Sequence, residues 1–585
     1  MRCWSWRWGT ARAERSRPRR RGSRVQRTPE GRRRCGSGTS WTACSSTRTS
    51  PTGTRPGLSP AQLALVSVLQ FAENLTDRQA AQAVACRIDW KYCLGLELDA
   101  PGFDHSVLCE FRDRMAEDDR ADRLLAVMVD RLVAAGLVKS RGRQRTDSTH
   151  VLAAVRTLSR LELVGETLRA ALEELAATAP DWLAGVVTAD WVKRYGRPVR
   201  YDRLPRGADA QRDYALTVGT DGMTVLQALA RPDTPQRLRR GKQVDVLRRV
   251  WIQQYWYDSA SQLRWRGPKQ TKDRNSRRGM PRRSASAPAA DGNPDPASAR
   301  VPWSGLEIVS LHDPEARFSH KPGKARWIGY KDHQTETCDE DMPRVIVHVL
   351  TTPAPEQDIA ALDRVHTALA TQHLLPAEHL VDTGYVTPQA IHHAATVHSV
   401  TIVGPVREDP RADEHPGFSK DAFTIDWQAR TVTCPQGVTS PPWKPTIADQ
   451  NPGLSVLFRR SDCRDCAVRK QCTGNVDGKG RHLLLLPQPL QEIQSRARVE
   501  QKTPEWKERY AMRAGCEATV SETVHAHGLR HCRYHGLAKT HVQHVLTAAG
   551  TNIIRLSQQS ATDRNPRPPS PFYRFSQTLL TELAA

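Results

Sequence analysis

The sequence predicts an α/β protein in which a mixed sheet is flanked by helices and preceded by an all-α segment. Helix-type spacing of apolar residues runs through residues 59 to 135 and returns near the C-terminus. Between residues 305 and 406, strand-like segments first follow one another directly and are then separated by a helix. This succession is typical of a mixed sheet with helices packed on its faces.

Length and charge limit the possible organisation and partners. A chain of 585 residues exceeds one compact core, so we expect two or three units. The net charge of +23 favours an anionic partner, first of all nucleic acid. Residues 1–57, however, contain fifteen Arg, no Lys and two acidic residues, and they supply 13 of these charges. The basic character of the remaining chain is therefore moderate.

Residues 1–57 also contain no Leu, Ile or Phe, and we predict a disordered basic segment there. Their composition is typical of a frame-shifted segment or a misassigned start, and the alternative is a genuine basic arm that binds nucleic acid. No apolar run in the chain approaches the length of a membrane span, so the protein is expected to be cytoplasmic. Thirteen cysteines in a reducing compartment indicate local metal ligands rather than disulfides.

The first ordered segment is predicted to be a helical domain over residues 58–138. The stretch SPAQLALVSVLQFAENL begins with Ser59 as an N-cap followed by proline, and Thr76 caps the next helix. Short helices at this spacing are compatible with a DNA-binding helix-turn-helix, and equally with a small helical bundle.

The larger domain is predicted over residues 139–560, with a tail at 561–585. In RTDSTHVLAAV, Asp147 is either the N-cap of a following helix or a functional carboxylate. A helix at 158–177, a mainly helical region at 178–265 and a flexible Pro- and Ser-rich insertion at 266–303 come next. We then expect strands at 305–311, 325–337, 344–352, 379–384 and 400–406, with one helix after the third strand, and finally helices at 505–525 and 537–556.

Two groups of residues could carry chemistry. Asp382 follows an apolar strand directly, and the carboxyl ends of strands are where α/β sheets bind ligands, although a turn residue is the ordinary explanation. Tyr510, Arg513 and Glu517 fall at offsets 0, +3 and +7, which would place them on one helical face. A solvated salt bridge would explain the Arg and Glu equally well. The basic stretch GLRHCRYHGLAKTH follows and offers phosphate donors.

Taken together, RTDSTHVLAAV, WIGYKDHQTET, HLVDTGY, the Tyr510-Arg513-Glu517 spacing and YHGLAKTHVQHVLTAAGTNIIRL resemble the DDE transposases of bacterial insertion sequences. Residues 58–138 resemble the InsH-type N-terminal domain of that group. The resemblance implies a ribonuclease H-like catalytic domain in which Asp147, Asp382 and Glu517 bind two Mg²⁺ (or Mn²⁺) ions. Three oxygen ligands from distant segments suit the octahedral preference of Mg²⁺.

The resemblance also implies DNA contacts. Tyr510 and Arg513 belong to the family signature, and Arg145 is placed to meet a DNA phosphate. The signature continues with a Lys, but Val524 stands there in this chain, so we assign the phosphate contact to Lys539. Other acids, namely Asp313, Glu336 and Glu522, match no motif and are ranked lower.

A cysteine-rich insertion is predicted at 430–486. Cys434, Cys463, Cys466 and Cys472 include a Cys-x2-Cys knuckle, and four thiolates would form a closed, structural Zn²⁺ site of the zinc-ribbon type. His482 could replace one ligand, and four unrelated buried cysteines are the alternative. Six further cysteines are interpreted as ordinary core residues: Cys86, Cys93, Cys109, Cys338, Cys516 and Cys532.

The function implied is that of a DNA transposase that binds the terminal inverted repeats of its element and catalyses metal-dependent strand cleavage and strand transfer. Its partners would be double-stranded DNA, both transposon ends and target, and a second copy of the chain in a dimer or larger synaptic complex associated with the nucleoid. The alternatives are a catalytically inactive remnant or a zinc-containing DNA-binding protein.

Overall fold

A computed structural model describes residues 58–267, 304–321, 326–409, 411–448, 451–473 and 480–559 of the chain. The predicted basic segment 1–57, the tail 561–585 and nearly all of the predicted insertion 266–303 lie outside these residues. The described residues divide into two compact units, the first formed by residues 58–70 and 75–111 and the second by residues 71–74 and the described residues from 112 to 559.

The N-terminal region is helical, as predicted, with helices α1 Pro60–Ala72, α2 Asp77–Cys86, α3 Ile88–Leu94, α4 Ser106–Met115 and α5 Arg120–Ala134. Thr76 caps α2 in a complete capping box with Gln79, because each side chain bonds the other residue's backbone N–H. Helix α5 belongs to the second unit, where it packs against the sheet and the last helix.

The segment around Asp147 is a strand, β1 (Arg143–Leu152), and the interpretation of Asp147 as a helix N-cap is therefore wrong. A helical block with a small hairpin follows: α6 Arg160–Thr178, α7 Pro180–Ala184, α8 Ala189–Tyr195, α9 Ala208–Ala230, α10 Gln236–Arg239, α11 Lys242–Gln254, β2 Tyr255–Tyr257 and β3 Leu263–Trp265. Ser159 caps α6, so the predicted helix at 158–177 is confirmed.

The strand predicted at 305–311 is wrong. Its residues form a 3₁₀ turn at Ser304–Leu306 and irregular chain, and its apolar side chains Ile308 and Leu311 are buried in the core of the helical block. Burial against helices produced the apolar run that resembled a strand. The first strand after the helical block is instead β4 (Arg317–His320).

The central sheet also contains β5 Arg326–Thr337, β6 Ile346–Pro353, β7 Glu378–Val381 and β8 Thr401–Val403. One edge of β5 pairs first with β4 and then with β6, and its other edge pairs antiparallel with β1. On its far side β1 pairs parallel with β7, which pairs parallel with β8. The predicted mixed sheet is thus confirmed, with β1 at its centre. Helices α12 Asp358–Thr371 and α13 Pro388–Val397 supply the crossovers.

The cysteine-rich insertion forms a small body of short elements: β9 Thr424–Asp426, β10 Thr431–Thr433, β11 Lys444–Ala448, β12 Asn451–Leu457, α14 Arg460–Arg464, α15 Arg469–Cys472 and β13 His482–Leu485. It has its own apolar core, which includes Trp443, Phe458 and Leu483. A short 3₁₀ turn at Lys420–Ala422 precedes it, and a similar turn at Tyr201–Arg203 lies in the helical block.

The chain then returns to helices: α16 Gln488–Glu500, α17 Pro504–Ala511, α18 Gly515–His525 and α19 Leu537–Gln559. The predicted helix at 505–525 is interrupted, because a 3₁₀ turn at Met512–Ala514 separates α17 from α18. Within the described residues, no helix combines the length and apolarity that a membrane crossing requires.

Candidate active site

Strand register places two of the predicted acids side by side. The last parallel pair between β1 and β7 joins Thr146 to Val381, so Asp147 and Asp382 are the next residues of adjacent strands. Asp147 accepts a hydrogen bond from the backbone N–H of Ser148 at 2.8 Å. Asp382 accepts one from the N–H of Gly384 at 2.8 Å. Each carboxylate is thereby oriented by a hydrogen bond from the backbone that follows it.

One arginine contacts all three predicted acids. The Nη2 atom of Arg513 lies 2.8 Å from Oδ2 of Asp147 and 3.9 Å from Oδ2 of Asp382. Its Nη1 atom lies 3.5 Å from Oε1 of Glu517. The side chain of Arg513 is only 14% exposed, whereas that of Glu517 is 74% exposed. Residues from β1, the end of β7 and α18 therefore meet around a single guanidinium group.

The turn before α18 positions this guanidinium. Gly515 starts the helix against the side chain of Arg145, and a Cβ atom at this position would overlap that guanidinium group. Arg145 itself is 2% exposed, pairs with Glu336 at 2.8 Å and donates to the carbonyl of Met512 at 2.5 Å. These contacts fasten the turn to β1 and β5, and they give the predicted phosphate contact of Arg145 no support.

The electrostatics of the site are dominated by desolvation. The pKa of Asp147 is raised to about 6, mainly by burial and to a smaller extent by the neighbouring Asp382, while the charges of Arg513 and Lys321 oppose the increase. Lys321, which follows β4, thus brings a positive charge near the acids that the sequence analysis did not identify. No motif pointed to it, because its place near Asp147 results from the pairing of β4 with β5.

Tyr510 and Lys539 have different surroundings. The ring of Tyr510 stacks on Trp506 with centroids 4.8 Å apart, and burial raises its pKa, with smaller contributions from the charges of Asp382 and Asp147. Tyr510 is thus close enough to the two aspartates for their charges to raise the pKa of its hydroxyl. Lys539, at the start of α19, forms an ion pair with Asp113 at 2.5 Å. Its phosphate contact stays a prediction.

The lower-ranked acids have structural partners. Asp313 is buried and accepts a hydrogen bond from the hydroxyl of Tyr330 at 2.6 Å. Glu336 bridges Arg145 and Arg555, which also pairs with Glu522 at 2.7 Å. These hydrogen bonds and ion pairs give Asp313, Glu336 and Glu522 a structural role, whereas Asp147, Asp382 and Glu517 share the guanidinium of Arg513.

The donors around Arg513 fit a hard divalent cation. Three carboxylates supply only oxygen ligands, which Mg²⁺ and Mn²⁺ prefer. In the described part of the chain, the oxygen atoms of the three carboxylates do not all lie within 4.8 Å of one another. The positive group that contacts each of them is the guanidinium of Arg513. Ion binding would therefore bring the acids closer together.

The four cysteines of the insertion line one small cavity of about 30 Å³, together with Phe458 and Arg481. Burial raises the pKa of Cys472, the positive charge of Arg481 lowers it, and the other three thiols raise it slightly. Among the described residues, no three of these sulfur atoms lie within 4.8 Å of one another. His482 instead bonds the hydroxyl of Ser455 at 2.8 Å.

The remaining cysteines fall into two classes. Cys338, Cys516 and Cys532 are buried, as expected of core residues. The core interpretation of the other three is wrong, because Cys86, Cys93 and Cys109 are exposed. Each of these three cysteines lies on the solvent-exposed side of a short helix.

Comparison with known protein families adds independent information. A family model described as "Transposase DDE domain" matches residues 433–557, which include the four cysteines, Arg513 and Glu517. A second, "Transposase domain (DUF772)", matches residues 41–114 in the N-terminal region. Asp147 and Asp382 lie outside both matched ranges. No protein with curated annotation matches the chain. The two matches, in separate parts of the chain, confirm its resemblance to the DDE transposases of bacterial insertion sequences.

Proposed function

We propose that the protein is a DNA transposase that cuts at the ends of its own element and joins them to target DNA. The observation that carries the proposal is the convergence of Asp147, Asp382 and Glu517 on Arg513 from three distant chain segments. A mixed sheet with the first acid on its central strand supports the ribonuclease H-like core that the resemblance implies.

The three acids would hold two Mg²⁺ (or Mn²⁺) ions, which supply an activated nucleophile and stabilise the leaving oxygen of a phosphodiester. The carboxylates of Asp147 and Asp382 are oriented by hydrogen bonds from the backbone N–H groups of Ser148 and Gly384. Arg513 keeps the carboxylates together against their mutual repulsion, because its guanidinium contacts each of them. Tyr510 and Arg513 would donate hydrogen bonds to a DNA phosphate.

Two balanced reactions would follow at this site. In cleavage, water attacks the phosphorus at the element end, the bond to the 3′ oxygen breaks, and a 3′-hydroxyl is released beside a 5′-phosphate. In strand transfer, that 3′-hydroxyl oxygen attacks a target phosphorus, and the 3′ oxygen of the target strand leaves with the proton. One phosphodiester bond forms for each one broken, so no further energy source is needed.

The cysteine-rich insertion is proposed to bind one structural Zn²⁺ ion. Its four thiols share one cavity, and a closed tetrahedral set would make the bound ion structural. Basic side chains on the same module would meet DNA, and four of them are exposed: Arg459, Arg460, Arg464 and Lys470. Because two element ends must be brought together, the active form is proposed to be a homodimer or a larger complex on DNA.

The decisive test uses Asp147→Asn, Asp382→Asn and Glu517→Gln, with Glu508→Gln as the matched control on an exposed residue of α17. The substrate is a DNA fragment that carries the gene with its flanking sequence, incubated with Mg²⁺. We expect the three variants to lose strand cleavage by about 100-fold or more and the control to keep it. Gel-shift binding to the same DNA should be retained by all four.

Three acid variants that cleave as well as the control would overturn the three-acid site. If the unaltered chain binds end-containing DNA but never cleaves it with Mg²⁺ or Mn²⁺, the chain is an inactive remnant or a zinc-containing DNA-binding protein instead.

A further inference from the structure

A second group of potential metal ligands lies on the two helices that flank β7 in the chain. Asp363 of α12, His393 of α13 and His398 at the end of α13 offer ligand atoms that all lie within 4.8 Å of one another. We call these three residues the α12–α13 cluster. They come from the second unit of the chain and belong to neither the three acids nor the four cysteines.

Both imidazoles of the cluster contact the same carboxylate oxygen. The Nε2 atom of His393 lies 2.8 Å from Oδ1 of Asp363, and that of His398 lies 3.3 Å from it. A tetrahedral ion with bonds of about 2.1 Å holds its ligand atoms roughly 3.4 Å apart. The two measured separations, from the Asp363 oxygen to each imidazole nitrogen, would therefore lengthen by about 0.6 Å and 0.1 Å to accept an ion.

The backbone beneath the cluster is well defined. His398 ends α13 with its N–H bonded to the carbonyl of Ala394 at 3.2 Å, and Val400 bonds the same carbonyl at 3.0 Å. Ser399 between them has a left-handed φ of 53°, which turns the chain back toward β8. Ligands on helices and tight turns are held more accurately than ligands on open loops.

A buried histidine packs against the α12–α13 cluster. His366, one helical turn after Asp363, has its ring centroid 5.3 Å from that of His398. Its Nε2 atom is bonded to Nδ1 of His379 at 2.8 Å, and His379 is bonded to Thr146 at 2.7 Å. His366 is thus fixed by the sheet and in turn limits the rotation of His398. Such outer contacts orient the ligands of metal sites.

There is room beside the cluster for further ligands. A cavity of about 540 Å³ is lined by Asp363, His366 and His393, among others. Water or another small ligand could complete the coordination of an ion from this side. Two imidazoles and one carboxylate favour first-row transition metals over Mg²⁺, which prefers oxygen ligands alone.

We propose that Asp363, His393 and His398 bind a divalent transition-metal ion of the Zn²⁺ type, which links α12 to α13. The ordinary alternative is a pair of surface hydrogen bonds without an ion. The site goes beyond the proposed function, because it would be present whether or not the chain cuts DNA.

The test measures metal binding by the full-length chain after chelator treatment. Zn²⁺ is titrated against a competing indicator dye, and Co²⁺ absorption separates this nitrogen–oxygen site from the cysteines, because only thiolate ligands add strong sulfur-to-metal bands. The variant is His393→Gln, whose side chain is 49% exposed. The matched control is His392→Gln, an exposed histidine of the same helix that lines the same cavity.

We expect His393→Gln to bind one Zn²⁺ equivalent fewer than the unaltered chain, with the thiolate bands of Co²⁺ unchanged, and His392→Gln to bind the full number. Asp363→Asn, a second variant at an exposed position, should show the same loss even if His393→Gln folds poorly. Equal melting temperatures in chelator would show that folding is intact. Full binding by both variants, or an equal loss in the His392→Gln control, would overturn the proposal.

Discussion

At the scale of single residues, short motifs made the three acids candidates, and the structure brings their side chains together around Arg513, whereas the rest of their surroundings was not predictable. The contact of Arg513 with all three carboxylates depends on strand register and on a 3₁₀ turn. Neither leaves a local signal in the sequence. The same holds for Arg145, whose position beside Asp147 indicated DNA but whose side chain is paired inside the protein.

Arg513 gives the first prediction. In Arg513→Gln, the carboxylates of Asp147 and Asp382 lose the cation between them, so their repulsion should lower the melting temperature in chelator. Mg²⁺ or Mn²⁺ replaces that charge and should raise the melting temperature more in the variant than in the unaltered chain. Thermal denaturation with and without the ion measures both effects.

Arg496→Gln is the matched control for Arg513→Gln. Its ion pair with Glu500 is exposed on the surface of α16, so its loss should change little. An equal response to the ion in both variants and in the unaltered chain would contradict the role given to Arg513.

Asp332 makes the stability dependent on pH. It is fully buried on β5, accepts a hydrogen bond from Gln334 at 2.6 Å and lies 3.3 Å from Nδ1 of His544 on α19. Burial raises its pKa to about 7, although Gln334 and the charge of His541 oppose this, and burial holds the pKa of His544 well below its usual value. The folded chain therefore binds a proton between about pH 4 and pH 7 that the unfolded chain releases.

It follows that this carboxyl destabilises the protein progressively as the pH rises to 7. Asp332→Asn should leave stability unchanged near pH 4 and increase it above pH 7, by on the order of 4 kcal/mol at most. Melting temperatures at pH 5 and pH 8 measure the effect. The same difference from the unaltered chain at both pH values would be evidence against it.

At the scale of elements, helices and strands were predicted best where the apolar residues follow a single clear pattern along the chain. Helix α6 and strand β6 were found because their apolar residues follow a regular spacing or form an uninterrupted run. Residues 305–311 were misassigned because burial against helices also produces an apolar run. The break between α17 and α18 was missed because a 3₁₀ turn keeps nearly the same residue spacing as an α-helix.

The start of α18 gives a prediction of its own. Gly515→Ala would place a methyl group in the guanidinium of Arg145, whose bonds to Glu336 and Met512 prevent it from moving away. We expect a loss of about 1–3 kcal/mol in stability and a weaker active site. Gly185→Ala at the end of α7 is the control, because its nearest neighbour would be a carbonyl oxygen at 3.5 Å. Equal melting temperatures for the two variants would contradict this account.

The cysteine cavity can be tested as an element as well. Cys463→Ser should lower the zinc content of the purified chain by one ion and lower its melting temperature, because a structural ion contributes its binding energy to folding. Cys86→Ser, at an exposed cysteine, should change neither quantity. An unaltered metal content in Cys463→Ser, measured by atomic emission, would leave the thiols as ordinary packing residues.

At the scale of the whole molecule, composition predicted the partner class more readily than the place where it binds. Residues 1–57 supply more than half of the net charge of +23. In the proposed function, the larger domain would therefore attract DNA through local clusters, such as the exposed arginines of the insertion, rather than through a generally basic surface. The α12–α13 cluster was not predicted, because its ligands come from two helices that the fold brings together.

The central position of β1 has a consequence during protein synthesis. Asp147 is made early, its partner strands end at residues 337 and 381, and Glu517 follows 370 residues after it. At roughly 5–20 residues per second, the ribosome needs on the order of 20–70 s to travel from the first acid to the last. A nascent or truncated chain therefore lacks a complete set of acids. In the proposed function, DNA near the ribosome would therefore be protected from cutting until the chain is nearly finished.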